Sequence, residues 1–82
     1  MALRFENKIA IITGAGRGIG YEIAHELVCE GASVILNDID EQVALEVASK
    51  LSIRGPGRCI AISGDAGNLH VVNKMVQEAV NR

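Results

Sequence analysis

The 82 residues contain no tryptophan, one phenylalanine (Phe5) and one tyrosine (Tyr21), so the aromatic stacking platform that holds single-stranded nucleic acid is excluded. The formal net charge is −2 and there is no block of lysine or arginine, which removes the electrostatic footprint of a nucleic-acid binder as well. No early apolar run exceeds four residues, and the opening MALRFENK lacks the apolar stretch of a secretory signal. Neither a membrane span nor an export leader is expected, and the cytoplasm is the expected location. Cysteine is limited to Cys29 and Cys59, too few for a disulfide framework without a signal. Both are expected as free thiols that pack as small hydrophobes. Proline occurs once, at Pro56, between two glycines.

What is present is globular: 49% of the residues are hydrophobic and 22% are charged. With so few aromatics the core must be built from Ile, Val, Leu and Ala. A chain of this length forms one small domain that buries only about 60% of its unfolded surface. Three β-rich runs are visible, KIAIIT (Lys8–Thr13), SVILN (Ser33–Asn37) and CIAIS (Cys59–Ser63). Their apolar centres do not alternate strictly, as expected of parallel strands covered on both faces. Helical patterns fill the intervals. From Ile19 to Glu30 the expected stripe is Ile19, Ile23 and Leu27 beside Ala24, with Gly31 at the C′ position. From Glu41 to Ser52 it is Val43, Val47 and Leu51 with Ala44 and Ala48. From Leu69 to Val80 it is Leu69, Val72, Met75, Val76, Ala79 and Val80, with Asn68 as N-cap. The order β-α-β-α-β-α with short connections predicts an α/β fold with three parallel strands joined by right-handed crossovers, in the order 3-2-1.

The most informative stretch is TGAGRGIG, Thr13 to Gly20, which places four of the nine glycines in seven residues. It leaves a buried strand and opens a helix. In that setting glycines supply a positive φ at a tight turn, an approach without a Cβ to a ligand, and close helix-to-strand packing. Gly14, Gly18 and Gly20 suit those tasks in order. The N–H groups opening the next helix would then face a diphosphate. The spacing is not G-x-G-x-x-G, because Ile19 and Tyr21 stand where the last glycine would fall, and no G-K-[ST] follows. It is T-G-x-x-x-G-x-G. The alternative, that these glycines only turn the chain, needs one or two of them and leaves the excess unexplained.

With that spacing the chain resembles the short-chain dehydrogenase/reductase family, in the style of the 3-oxoacyl-acyl carrier protein reductases and the bacterial hydroxysteroid and glucose dehydrogenases. FENKIAIITGAGRGIG, GASVILNDID and GDAGN carry the resemblance, which runs through essentially the whole chain. It implies the N-terminal part of a single NAD(P)-binding Rossmann domain over residues 1–82, from an oxidoreductase that moves hydride between a nicotinamide cofactor and an alcohol or carbonyl. It also implies a homo-oligomer as the complete form. The implied cofactor contacts are Gly14, Gly16, Arg17, Gly18, Ile19 and Gly20 in the loop, Asn37 and Asp38 at the end of the second strand, and Asp65 and Ala66 after the third. The family's catalytic Tyr-x-x-x-Lys pair, with its Ser and Asn, has no counterpart in these residues: Tyr21 is followed four positions later by His25. No catalytic residue is assigned, and on the resemblance the chain is the first third of an enzyme.

Asp38 is expected to select the nucleotide. An acid about 20 residues beyond the glycine loop accepts from the adenosine ribose hydroxyls and repels a 2′-phosphate, so NAD is expected over NADP. Arg17, as a basic residue in the loop, would soften that preference toward an NADP-dependent 3-oxoacyl-acyl carrier protein reductase-like enzyme. Asp38 with Glu41 also fits a helix-capping pair, although Asp40 is the better placed cap. Asp65 either borders the adenine, as the resemblance implies, or simply closes a turn before Asn68. His25 and Cys29 share an i, i+4 face, but without further ligands they are expected to be ordinary side chains and no metal is expected. A non-catalytic nucleotide-binding or interaction module is the alternative function. The first strand, if left at a sheet edge, would be a site for self-association.

Overall fold

The computed structural model describes residues 4–14 and 18–81. The elements are β1 (Ile9–Ile12), α1 (Gly18–Cys29), β2 (Ser33–Asp38), α2 (Glu41–Ser52), β3 (Arg58–Ser63) and α3 (Leu69–Val80). The three strands form one parallel sheet in the order β1-β2-β3, which is the expected 3-2-1 order viewed from the other edge. The α2 and α3 bounds coincide with those read from the sequence. The other bounds differ by a residue or so at their ends: β1 stops short of Lys8 and Thr13, β2 gains Asp38, β3 gains Arg58, and α1 runs one residue earlier.

Side-chain alternation across the sheet decides what each helix covers. Val34 and Leu36 of β2 face the same way as Cys59 and Ala61 of β3 and Ile12 of β1, and pack with Ala24 and Val28 of α1 and Ala44, Ala48 and Leu51 of α2. On the opposite face Ile35 and Ile62 meet Met75 of α3, flanked by Val71, Val72 and Ala79. The first two helices therefore share one side of the sheet and the third lies on the other. Both of the helices with a side-chain N-cap start as read: Asp40 accepts from Val43 N at 3.1 Å, and Asn68 accepts from His70 N at 2.8 Å. Gly31 closes the α1 end with a φ of 94°.

The buried stripe of α1 differs from the expected one. Ala24 and Val28 are fully buried with Tyr21 and Leu27 alongside, whereas Ile19 is 80% and Ile23 48% exposed. The helix is rotated so that its small residues meet the sheet and its flank meets α2, where the Lys50 ammonium lies 5.7 Å from the centre of the Tyr21 ring. In α3 the same correction applies to Leu69, Val76 and Val80, which are exposed, while Val71 joins the packed face.

β1 also departs from a strand covered on both faces. It lies at the sheet edge, and its α3-side residues Ile9 and Ile11 are each 40% exposed. Cys29 and Cys59 are both free thiols. Burial against α1 and α2 pushes the Cys59 thiol up from 9.0 to about 11.

Two outcomes follow from this packing. Leu51→Ala, which empties a fully buried position, is expected to lower unfolding stability by about 2–5 kcal/mol in urea denaturation. The raised Cys59 pKa means the folded state holds its proton where the unfolded thiol has lost it. Its contribution is intact below about pH 9 and declines as pH rises through about 11. Urea melts at about pH 8 and about pH 11 should therefore show a larger alkaline loss for the native chain than for Cys59→Ala.

Candidate functional site

In an open parallel sheet the strands all deliver their C-terminal ends to one edge, and the loops that leave them form a crevice there. A cleft of about 310 Å³ occupies that position, lined by Thr13, Gly14, Asn37, Asp38, Ile39, Gly64, Asp65 and Ala66. The end of β2 and the segments that leave β1 and β3 contribute to it. Five residues singled out in the sequence, Gly14, Asn37, Asp38, Asp65 and Ala66, are brought together in this cleft from positions far apart in the chain.

The local hydrogen bonds explain why each wall stands where it does. β2 is buried along nearly its whole length, and this carries Asn37 and Asp38 to the cleft as buried polar residues. The Asn37 carboxamide nitrogen donates to Ile62 O at 2.9 Å and to Gly64 O at 3.0 Å. The Asp38 carboxylate accepts from Asp40 N at 3.0 Å, while its backbone carbonyl accepts from Gly64 N at 3.0 Å. Asp40, two residues on, caps α2, so the helix cap and the cleft acid are separate residues. Asp65 does close a turn: its Oδ1 accepts from Gly67 N at 2.8 Å, and its carbonyl accepts from Asn68 N at 2.9 Å.

Gly14 turns the chain out of β1 with a φ of 60°, and Gly18 enters α1 with a φ of 62°. A Cβ at either position would meet nothing within 4 Å, so glycine is required there by conformation and not by crowding from the protein. The space over both backbones is open to a ligand. Gly18 and Ile19 line a second hollow of about 570 Å³ on the outer flank of α1, with Glu22, Ile23 and Glu26. Gly20 is half-buried in the first turn of α1. Gly16 and Arg17 lie outside the described residues.

Thr13, Ile39 and Gly64 line the cleft without having been singled out. Each adjoins a residue that was, and Ile39, an apolar side chain 75% exposed beside Asp38, is the most distinctive. Among the described residues there is no group of three His, Cys, Asp or Glu placed to hold a metal ion, and no helix long and apolar enough to cross a membrane.

An open parallel sheet with helices on both faces, a glycine turn after its first strand and an acid at the end of its second define a dinucleotide-binding α/β fold. The family model for short chain dehydrogenases matches residues 8–82. The chain belongs to that family. It is 46% identical over 74 residues to a hydroxynaphthalene reductase-like protein Arp2 of Metarhizium acridum, covering 89% of this chain and 27% of the relative. An L-sorbose reductase of Gluconobacter frateurii, solved with NADPH and L-sorbose, superposes with a TM-score of 0.87 at 27% identity, over 99% of this chain and 31% of that one. A 7α-hydroxysteroid dehydrogenase solved with NADH and 7-oxo glycochenodeoxycholic acid gives 0.85 at 35% identity, over 98% and 31%. The chain thus spans less than a third of the length of these proteins.

Proposed function

We propose that this chain is the NAD(H)-binding portion of a short-chain dehydrogenase/reductase whose complete form transfers hydride between the nicotinamide and an alcohol or carbonyl substrate. The observation that carries this reading is the Asp38 carboxylate, presented at the end of β2 across a cleft from Asp65 and Ala66. The donor set fits the adenosine end of a dinucleotide. Asp38 accepts from the ribose hydroxyls, Asn37 supports it from the same strand end, Ala66 and Ile39 offer small and flat apolar surface to the adenine, and Asp65 accepts from its amine. Gly14, Gly18, Ile19 and Gly20 take the diphosphate through backbone N–H groups at the turn and helix start, and the family resemblance adds Gly16 and Arg17 to that set. A dinucleotide held there would supply or accept the hydride. These residues bind and orient it, and no proton-transfer group is assigned among them.

The preference for NAD follows from charge. A 2′-phosphate about 4 Å from Asp38 is opposed by about 4 kcal/mol per unit-charge pair at an effective dielectric constant near 20. Arg17 offsets part of this, which is the route by which an NADP-dependent member, similar to the 3-oxoacyl-acyl carrier protein reductases, would arise. The family has structures with either nucleotide, NADPH in the sorbose reductase and NADH in the hydroxysteroid dehydrogenase. We further propose a cytoplasmic location and, from the family resemblance, a homo-oligomer as the complete form.

A second reading, a non-catalytic nucleotide-binding or interaction module, draws on the open edge of β1 and its exposed Ile9 and Ile11. An apolar strand edge of this kind favours pairing with another strand. The 82-residue chain is therefore expected to self-associate at micromolar concentration in sedimentation velocity, and Ile11→Lys is expected to reduce it. A monomer that melts cooperatively would count against that expectation.

The function itself is tested by calorimetric titration with NADH and NADPH. NADH is expected to bind more tightly, and Asp38→Ala to erase the preference. Equal affinity for the two nucleotides in the native chain would remove Asp38 as the selecting group.

A further inference from the structure

Asn37 is the most deeply buried polar residue of the cleft, at 2% exposure. A carboxamide nitrogen carries two hydrogens, and both are engaged: one on Ile62 O, the residue paired with Asn37 in the β2–β3 register, and one on Gly64 O, two residues further on. The regular ladder between these strands ends at Asp38 and Ser63. Asn37 extends the connection past that end with a side chain.

The group it reaches is itself constrained. Gly64 has a φ of 127°, and a Cβ there would come within 2.7 Å of Val71 Cγ2, so the chain reverses at a point closed to other residues. Its N–H donates to the Asp38 carbonyl and its own carbonyl accepts from Asn37, so both polar groups of Gly64 are tied to consecutive residues of β2. Immediately beyond it come Asp65 and Ala66, the far wall of the cleft. Immediately beyond Asn37 comes Asp38, the near wall.

We infer that Asn37 is a positioning residue that fixes the spacing of the two walls, Asp38 on one side and Asp65–Ala66 on the other, and through that spacing sets the nucleotide preference of the cleft. It works through Gly64 and not by donating to the ligand, because both donor hydrogens are committed to the protein. The inference rests on the reading of the cleft as a dinucleotide site. Loss of the carboxamide leaves the Gly64 carbonyl without its buried donor, and the strand ends separate to let water reach it. A wider cleft weakens the grip on the ribose hydroxyls and moves Asp38 away from a 2′-phosphate, so NADH binding falls while NADPH binding falls less.

The test uses the 82-residue chain with Asn37→Leu, which is close in size and has no donor, and Asn37→Thr, which keeps one. Hydrogen exchange without ligand is expected to accelerate about tenfold at residues 64–67 in Asn37→Leu, while the amides of Val34–Leu36 stay protected. In titrations NADH affinity is expected to fall about tenfold, NADPH affinity to fall less, and Asn37→Thr to lie between the native chain and Asn37→Leu. A native chain that prefers NADH, with variants that weaken both nucleotides in equal proportion or neither, overturns the positioning role and leaves the dinucleotide reading standing. A folded native chain that binds neither nucleotide overturns both. If Asn37→Leu does not fold, the Asn37→Thr exchange and titration data decide the matter by the same criteria.

Discussion

The structure depends on one strand. β2 is hydrogen-bonded on both edges and covered on both faces, with Val34 and Leu36 under α1 and α2 and Ile35 under α3. These three-dimensional neighbours bury the strand almost without interruption. Side chains that are apolar in both directions leave little freedom of register, because a one-residue slip would exchange the contents of the two cores. The strand's C-terminal end is therefore a fixed point, and the cleft is built outward from it.

The cleft inherits that rigidity through short-range hydrogen bonds. Asn37, Asp38 and Asp40 lie within four residues, yet each does separate work. Asn37 ties the neighbouring strand end, Asp38 presents a carboxylate, and Asp40 caps α2. A buried polar residue at the end of a strand needs partners, and here the partners are the backbone groups that shape the opposite wall. The two bonds that satisfy the Asn37 carboxamide also hold the backbone from which the opposite wall starts. Membership of the short chain dehydrogenase family is consistent with this division, since the glycine turn and the acid belong to different strands and only the sheet brings them together.

Much of this was legible in the residues. The helix bounds Glu41–Ser52 and Leu69–Val80, the caps Asp40 and Asn68, the parallel order of the strands and the positive φ at Gly14 were all expected from local signals. Those signals are local in their physics: a side-chain oxygen meeting an N–H two or three residues on, or a turn that only glycine adopts without strain. The separation of Asp38 from the capping role was also readable, because Asp40 precedes the apolar face of α2 by the right interval.

Contacts between elements were beyond such signals. Periodicity assigned Ile19 and Ile23 to the buried stripe of α1, but the rotation of a helix about its axis is decided by what it packs against, and Ala24 and Val28 are the residues buried there. The exposure of Ile9 and Ile11 depends on where β1 lies in the sheet and on what covers it there. The bonds from Asn37 to Ile62 and Gly64 join residues separated by a whole helix and strand. The sequence by itself determined the elements, their order and the chemistry of the cleft residues, because each follows from neighbours along the chain. The tertiary structure alone decided helix rotation, the coverage of β1 and the tie between the cleft walls, because those are set by surfaces that meet only once the sheet has formed.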